Sequence, residues 1–347
     1  MYLKGLLIVA GSMFIYGCDS STQVQMDTSL DAGIFDREIT HVTGDLYRMR
    51  TGRHIGVFLV TSEGIVLVDP TNPDQAAWVK EELKDRFGLP VKYVIYSHGH
   101  NDHAAGGDIF ADTATFVAHE NMPSNLIRPD EDAALLPRES LWDINGNDRI
   151  EESEANPGLA QNFSSLDSDG DGGLSRAEIW VARWKGETRP PDMVYSDRSI
   201  ITLGGKRVEL HYTGLNHTDD MSVVYFPAER AIYTVDFLTP GRPPRTDLDG
   251  GYLPEWLHSL RRVEQLDFDI IVPGHEAPGT KADVSEQVRY MEDLLSAVTQ
   301  GIEEGKTKDE LVENILLEDY SHLLEYDFSR AGNVAGAYEI LISNDEG

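Results

Sequence analysis

The chain has 347 residues, 40% of them hydrophobic, enough to bury one large core or two modest ones and too many for a disordered chain. Its 29 basic and 60 acidic side chains leave a formal charge of −31. So acidic a surface repels nucleic acid backbones and anionic lipid headgroups alike, which argues against nucleic acid as a partner and asks for a separate cause for any membrane attachment.

The N-terminus supplies such a cause. Lys4 is the only charge ahead of Asp19, and residues 6–16 are an unbroken run of apolar and small side chains. That run is too short to span a bilayer and long enough for the apolar centre of a signal peptide. It ends in Ile15-Tyr16-Gly17-Cys18, which resembles a bacterial lipobox with Tyr where a small residue is usual. The resemblance implies that residues 1–18 are a lipoprotein signal and that Cys18 is lipidated. The mature chain is then a periplasmic or cell-surface lipoprotein, held to a membrane only through that N-terminal lipid. Cys18 is the single cysteine, so no disulfide and no thiolate ligand is available elsewhere. Residues 19–35 are polar and read as a tether.

Short β-branched runs follow at residues 46–50, 56–61 and 65–68, punctuated by Gly52 and Ser62-Glu63-Gly64. Residues 74–86 have helical periodicity, with Ala77, Val79 and Leu83 on one side. Residues 91–96 form a nearly continuous apolar strand of the kind buried on both faces. A second set of strands is expected at 200–203, 208–212, 222–226, 231–235 and 270–272, and helices beyond residue 282. Strands interleaved with helices in two halves suggest two sheets packed face to face with helices outside.

The strand at 91–96 runs into Ser97-His98-Gly99-His100-Asn101-Asp102-His103. Three histidines and an aspartate within six residues form a constellation suited to zinc, and also to iron or manganese. Asp102 and His103 are placed in the first turn of a helix. This pattern resembles the signature of the metallo-β-lactamase superfamily. Gly214-Leu215-Asn216-His217-Thr218-Asp219-Asp220, Tyr233-Thr234-Val235-Asp236-Phe237 and Ile271-Val272-Pro273-Gly274-His275 resemble its later motifs in the expected order, with Val235 where the family more often has Gly. The resemblance implies an αββα sandwich over residues 36–285. One metal would take His98, His100 and His217, the other Asp102, His103 and His275, with Asp236 bridging them. Asp69 would brace the ligand loop from behind. Two metals about 3.5–4 Å apart can share a hydroxide, oriented by Asp102, that attacks a carbonyl or phosphoryl centre. Among the other histidines, His54 is a candidate for the pocket mouth and His119 for an active-site contact. His41, His211, His258 and His322 are assigned to packing or surface.

Residues 121–195 differ in composition. Asp167-Ser168-Asp169-Gly170-Asp171-Gly172-Gly173-Leu174-Ser175-Arg176-Ala177-Glu178 fits a twelve-residue EF-hand loop, with ligands at Asp167, Asp169, Asp171, Gly173 (backbone), Ser175 and Glu178, and Gly172 at the sharp turn. Residues 143–154 repeat the pattern with Asp143, Asn145, Asn147, Arg149 (backbone), Glu151 and Glu154, but with Asp148 in place of the turn glycine. Ile150 and Leu174 stand where paired loops share a short β-bridge, and Pro157-Gly158 is read as a break in the helix between the loops. The expected architecture is thus the sandwich with an EF-hand-like helical insertion and a helical C-terminal tail at 286–347, binding two Zn²⁺ and one or two Ca²⁺.

The function this implies is a zinc-dependent hydrolase acting on a small molecule: an ester, thioester, lactone, β-lactam, or sulfate or phosphate ester. The aspartate at 236 disfavours β-lactams, since true metallo-β-lactamases usually carry Cys or Ser there. Two alternatives are an iron-dependent redox member of the same fold, and a calcium-dependent binding protein with a vestigial hydrolase core. No protein partner is evident.

Overall fold

The computed structural model describes residues 36–345, except 185–187, 246–247 and 249–252. The lipobox with Cys18 and the tether lie outside the described residues. Among the described residues, no helix is long and apolar enough to cross a membrane.

The chain opens with four antiparallel strands: β1 (Arg37–Thr43), β2 (Leu46–Thr51), β3 (His54–Thr61) and β4 (Gly64–Val68). Helix α1 (Pro73–Phe87) then crosses to β5 (Val91–Ile95), parallel to β4. Asn72 caps α1 by accepting from the Gln75 amide, Pro73 occupies its first turn, and Gly88 ends it at φ 63°. The four-residue helix α2 (Asn101–Ala104) precedes β6 (Thr115–His119), which is parallel to β5.

The chain next leaves the sheet through α3 (Met122–Asn125), β7 (Ile150–Glu151), α4 (Pro157–Leu166), β8 (Gly173–Leu174) and α5 (Arg176–Trp184). It rejoins as β9 (Met193–Tyr195), parallel to β6 and the last of seven strands. Composition placed the end of this insert at residue 195, but its last three residues belong to the sheet. Ile150 pairs with Leu174, and both sit in a small core with Leu135, Leu159, Phe163, Leu166 and Ile179. Pro157-Gly158 does not break a helix. Pro157 opens α4 behind an Asn156 cap, where its missing N–H costs nothing.

The second sheet has the order β10 (Arg198–Leu203), β11 (Lys206–Tyr212), β12 (Ser222–Phe226), β13 (Ala231–Val235), β14 (Ile270–Pro273) and β15 (Gly279–Thr280). Helix α6 (Leu253–Glu264) joins β13 to β14, and α7 (Lys281–Glu303), α8 (Lys308–Asn314) and α9 (Tyr326–Asp345) form the tail. Strand periodicity divides the cores. Ile55, Val57, Leu59, Val66 and Val68 face the second sheet and its helices, whereas Phe58, Ile65 and Leu67 face α1 through Ala76, Val79 and Leu83. The result is an αββα sandwich with a helical tail.

One glycine holds the first sheet close to the site. A Cβ on Gly56 would stand 2.3 Å from the Asp69 carbonyl and 2.4 Å from Met49 Cε. Gly56→Ala should therefore lower the unfolding free energy by about 1–3 kcal/mol, as overpacking does, read from its urea midpoint against wild type.

Candidate metal centre

Four loops and the short helix α2 gather at one edge of the sandwich. The turn after β5 carries His98 and His100, and α2 carries Asp102 and His103. His217 lies between β11 and β12, Asp236 directly follows β13, and His275 follows β14. All seven side chains named from the sequence come together here.

Their ligand atoms fall into two sets. His98, His100, His217 and Asp236 form one, with atoms within 4.8 Å of one another, and His103, Asp236 and His275 form another. In the first, His100 Nδ1 is 3.2 Å from His217 Nε2, and Asp236 Oδ2 is 3.7 Å from His98 Nε2 and 3.6 Å from His217 Nε2. In the second, His103 Nε2 is 3.2 Å from His275 Nε2 and 3.3 Å from Asp236 Oδ2, and Asp236 Oδ1 is 3.1 Å from His275 Nε2. Asp102 Oδ2 joins them at 3.4 Å from His275 and 3.5 Å from His103. A tetrahedral ion with bonds of ~2.0–2.1 Å separates its ligand atoms by roughly 3.3 Å. The spacings match, and His98 Nε2 is buried with no hydrogen-bond partner. The residues fit a metal.

Behind the ligands, Ser97 donates to Asp69 from its amide at 2.7 Å and its hydroxyl at 2.6 Å, and its hydroxyl lies 3.0 Å from His98 Nδ1. Asp69 also accepts from Tyr233 Oη at 3.0 Å and lies 3.2 Å from His103 Nδ1. His275 Nδ1 lies 3.1 Å from the Arg53 carbonyl, and the Gly99 amide donates to Asp220 at 2.9 Å. Val235 sits at φ 50°, a left-handed conformation that a β-branched residue rarely adopts, and the bend aims Asp236 into the cluster.

The local charges differ between the sets. Burial, then the neighbouring imidazoles, holds His98 and His100 well below the ordinary histidine range. Burial also opposes charge on His103 and His275, but Asp102 and Asp236 outweigh it. They hold His103 well above its usual range and push His275 up to about 9. Burial raises Asp236, but His103 and His275 outweigh it and keep its carboxyl well below the usual carboxylate range.

Two clefts open onto the cluster and share Asp236 and Arg245. One is lined by Arg53, Arg242, Arg245, Glu276, Glu325 and Phe328. The other is lined by Asn156, Leu159 and Asn162 of α4, Ala182 and Arg183 of α5, and the ligands His100, Asp102 and His217. The insert therefore walls the site.

A profile of the metallo-beta-lactamase superfamily matches residues 51–275. The chain belongs to that superfamily. Curated relatives of this chain include the linear primary-alkylsulfatase of a Pseudomonas species, 25% identical over 76% of this chain and 50% of that protein. The 2,4-dinitroanisole O-demethylase subunit alpha of a Nocardioides species is 26% identical over 67% of this chain and 56% of that protein. The chain spans about half the length of the curated relatives it matches. Among solved structures, the inverting sec-alkylsulfatase Pisa1 from a Pseudomonas species superposes with a TM-score of 0.60 over 87% of this chain and 50% of its own, at 15% identity. A metallo-beta-lactamase from Pontibacter korlensis does so at 0.52 over 74% and 99%, at 17% identity. These two likenesses are of fold. A His/Asp metal-binding cluster in this superfamily is that of a metal-dependent hydrolase.

His54, only a candidate from the sequence, lies 3.9 Å from Asp102 and packs edge-on to His275. His119 is a correction. It stacks on Tyr212 at 4.0 Å and its Nε2 lies 2.9 Å from the Ser196 carbonyl, a packing role at the far strands of the first sheet. The four cleft arginines carry no motif in the sequence, since they come from three segments, with Arg242 and Arg245 in one loop and Arg53 and Arg183 far from it.

The charge asymmetry has a pH consequence. A histidine must be neutral to ligate, so raised values at His103 and His275 make protons compete with metal at the second set, whereas His98 and His100 are already neutral. As pH falls from mildly alkaline values, the second set should lose its zinc first. Dialysis at graded pH with metal analysis should show content falling in two steps, and a single concerted step would contradict this.

Proposed function

We propose that this chain is a binuclear zinc-dependent hydrolase of small anionic esters, and that alkyl sulfates are the class its cleft suits best. The observation that carries this reading is a ring of arginines in a chain of net charge −31: Arg53, Arg183, Arg242 and Arg245 line the clefts over the metal cluster. A guanidinium fork pairs two N–H donors with two oxygens of one anionic group, tetrahedral phosphate included, and tetrahedral sulfate presents oxygens in the same way, so arginines beside the metal cluster suit such a group. One relative is named for an alkyl sulfate and the other for an O-methyl group, both O-linked alkyl groups.

His98, His100 and His217 would hold one zinc, Asp102, His103 and His275 the other, with Asp236 shared. Bound there, the ions supply an activated water at neutral pH and polarise the bond that breaks. The rest falls to the chain. Arg245 borders both clefts and orients the anion. Arg242 is braced by Glu276 at 2.9 Å and Glu325 at 3.2 Å, which fixes the floor beside His275. Phe328 lines the same cleft yet is 69% exposed, and Leu324 nearby is 61% exposed, so an apolar ledge leads away from the charged floor. An alkyl chain fits that ledge.

Purified protein should hydrolyse a medium-chain alkyl sulfate in preference to neutral esters, lactones and β-lactams. Arg245→Ala should cut kcat/KM for the sulfate roughly ten- to hundredfold, the worth of a charged hydrogen bond, and spare a neutral ester. Faster turnover of neutral substrates, or an equal loss on both, would sink the anionic reading.

We also infer that the loop at 167–178 takes one calcium ion. Asp167, Asp169 and Glu178 bring carboxylate oxygens within 4.8 Å of one another, and Gly172 makes the sharp turn at φ 90°. Glu178 now accepts from the amide and hydroxyl of both Ser168 and Ser175, so calcium would take over part of that role. The loop at 143–154 is a poorer host. Asp148 holds a φ of 64° where glycine is preferred, and the amides of Asn145 and Asn147 are spent on Glu151. Millimolar calcium should raise the melting temperature of wild type and not of Asp167→Ala, and a flat response in wild type would remove the site. Lipidation of Cys18 would place this hydrolase at a membrane surface, and detergent partitioning of wild type against Cys18→Ala reads it directly.

A further inference from the structure

Metal-ligating histidines are normally oriented by a polar partner on the ring nitrogen that faces away from the metal. Here His98 has Ser97 Oγ at 3.0 Å, His103 has Asp69 at 3.2 Å, and His275 has the Arg53 carbonyl at 3.1 Å. His100 differs. It presents Nδ1 to His217, while its Nε2 is buried with no hydrogen-bond partner. Packing must therefore set its ring.

The ring against it belongs to the insert. Trp184, at the end of α5 and 5% exposed, meets His100 edge to face, with centroids 5.2 Å apart and planes at 66°. Arg138 brings its guanidinium carbon to 6.0 Å from the indole centroid and donates to the His217 carbonyl at 3.4 Å. Gly99, between the two ligand histidines, leaves room for this contact, since a Cβ there would stand 3.1 Å from Trp184 Nε1 and 3.1 Å from Asp220 Oδ2.

We infer that Trp184 is a positioning residue of the first metal set, substituting ring packing for the polar brace that His100 lacks, so that an inserted element completes the metal centre. This rests on the binuclear reading above, and the experiment separates the two. Stepwise zinc dissociation constants would be measured by chelator competition for wild type, Trp184→Ala, Trp184→Phe and Gly99→Ala, with visible spectra of the cobalt(II) forms and thermal melts. Trp184→Ala should weaken one zinc site about ten- to hundredfold, the usual cost of losing an orienting partner, and alter its cobalt spectrum while the other site is unchanged. Trp184→Phe, which keeps an aromatic ring, should recover most of the affinity. Gly99→Ala should weaken the same site from the opposite side, and it carries the test if Trp184→Ala does not fold. Unchanged constants in the variants, or equal weakening of both sites with a lowered melting temperature, would overturn the role of Trp184. Wild type that binds fewer than two ions would overturn the binuclear reading and this inference with it.

Discussion

Asp236 Oδ2 lies 3.3 Å from His103, 3.6 Å from His217 and 3.7 Å from His98, and its other oxygen lies 3.1 Å from His275. Those four imidazoles arrive on loops from both sheets, so one carboxylate joins the two halves of the sandwich at their shared edge. Without its charge, five histidines would crowd one another in a buried space, where like charges are costly and unpaired ring nitrogens costlier still. The strained bend at Val235 is the cost of aiming that carboxylate, and Gly274 N, donating to the Val235 carbonyl at 3.2 Å, helps hold it. The rest of the site arranges itself around this point: Asp69 and Asp220 behind the turn at residues 97–100, held at Ser97 and Gly99, and the arginines above.

The metal cluster could be read from sequence because its chemistry is local. Six consecutive residues hold four ligands, and each remaining ligand sits where a hydrophobic strand gives way to a loop. The strands of the second sheet were legible for the same reason, and residues 222–226 and 231–235 match β12 and β13 end to end. Other elements were hidden by weak or misread patterns. Strand β1, Arg-Glu-Ile-Thr-His-Val-Thr, is an edge strand with no fully buried residue, so it lacks an apolar signature. Helix α6 does carry one, since Leu253, Trp256, Leu257, Leu260 and Val263 follow the helical period and are buried, yet it falls between the strands expected at 231–235 and 270–272, where no element is assigned from the sequence.

What sequence could not show is convergence. Arg242 and Arg245 share one loop, but Arg53 and Arg183 come from distant parts of the chain, and only the folded chain brings all four to the two adjoining clefts. Trp184 likewise reads as an ordinary apolar residue on an amphipathic helix. Its contact with His100 depends on how the insert folds back over the sheet edge, which follows from the insert's own small core and from the return of the chain as β9. The insert looked separate by composition because its acidic loops face solvent, while the residues that join it to the site, among them Asn156, Leu159, Asn162, Arg183 and Trp184, are few and scattered along it.

A strongly acidic molecule whose clefts set four arginines among four carboxylates meets an anion differently at long and at short range. An anion diffusing toward the chain feels the field of its net charge of −31 only once it comes within about a Debye length, about 8 Å at physiological ionic strength, and is repelled there. Only beside the cleft arginines does it meet opposite charge, so any attraction acts over a short range. Added salt then does two opposite things, easing the approach by screening the outer repulsion and loosening the hold by screening the arginines. For an anionic ligand these effects oppose each other, so its association would be fastest at an intermediate salt concentration. The long-range barrier would weigh least on a ligand with an apolar part, to which Phe328 and Leu324 offer exposed surface.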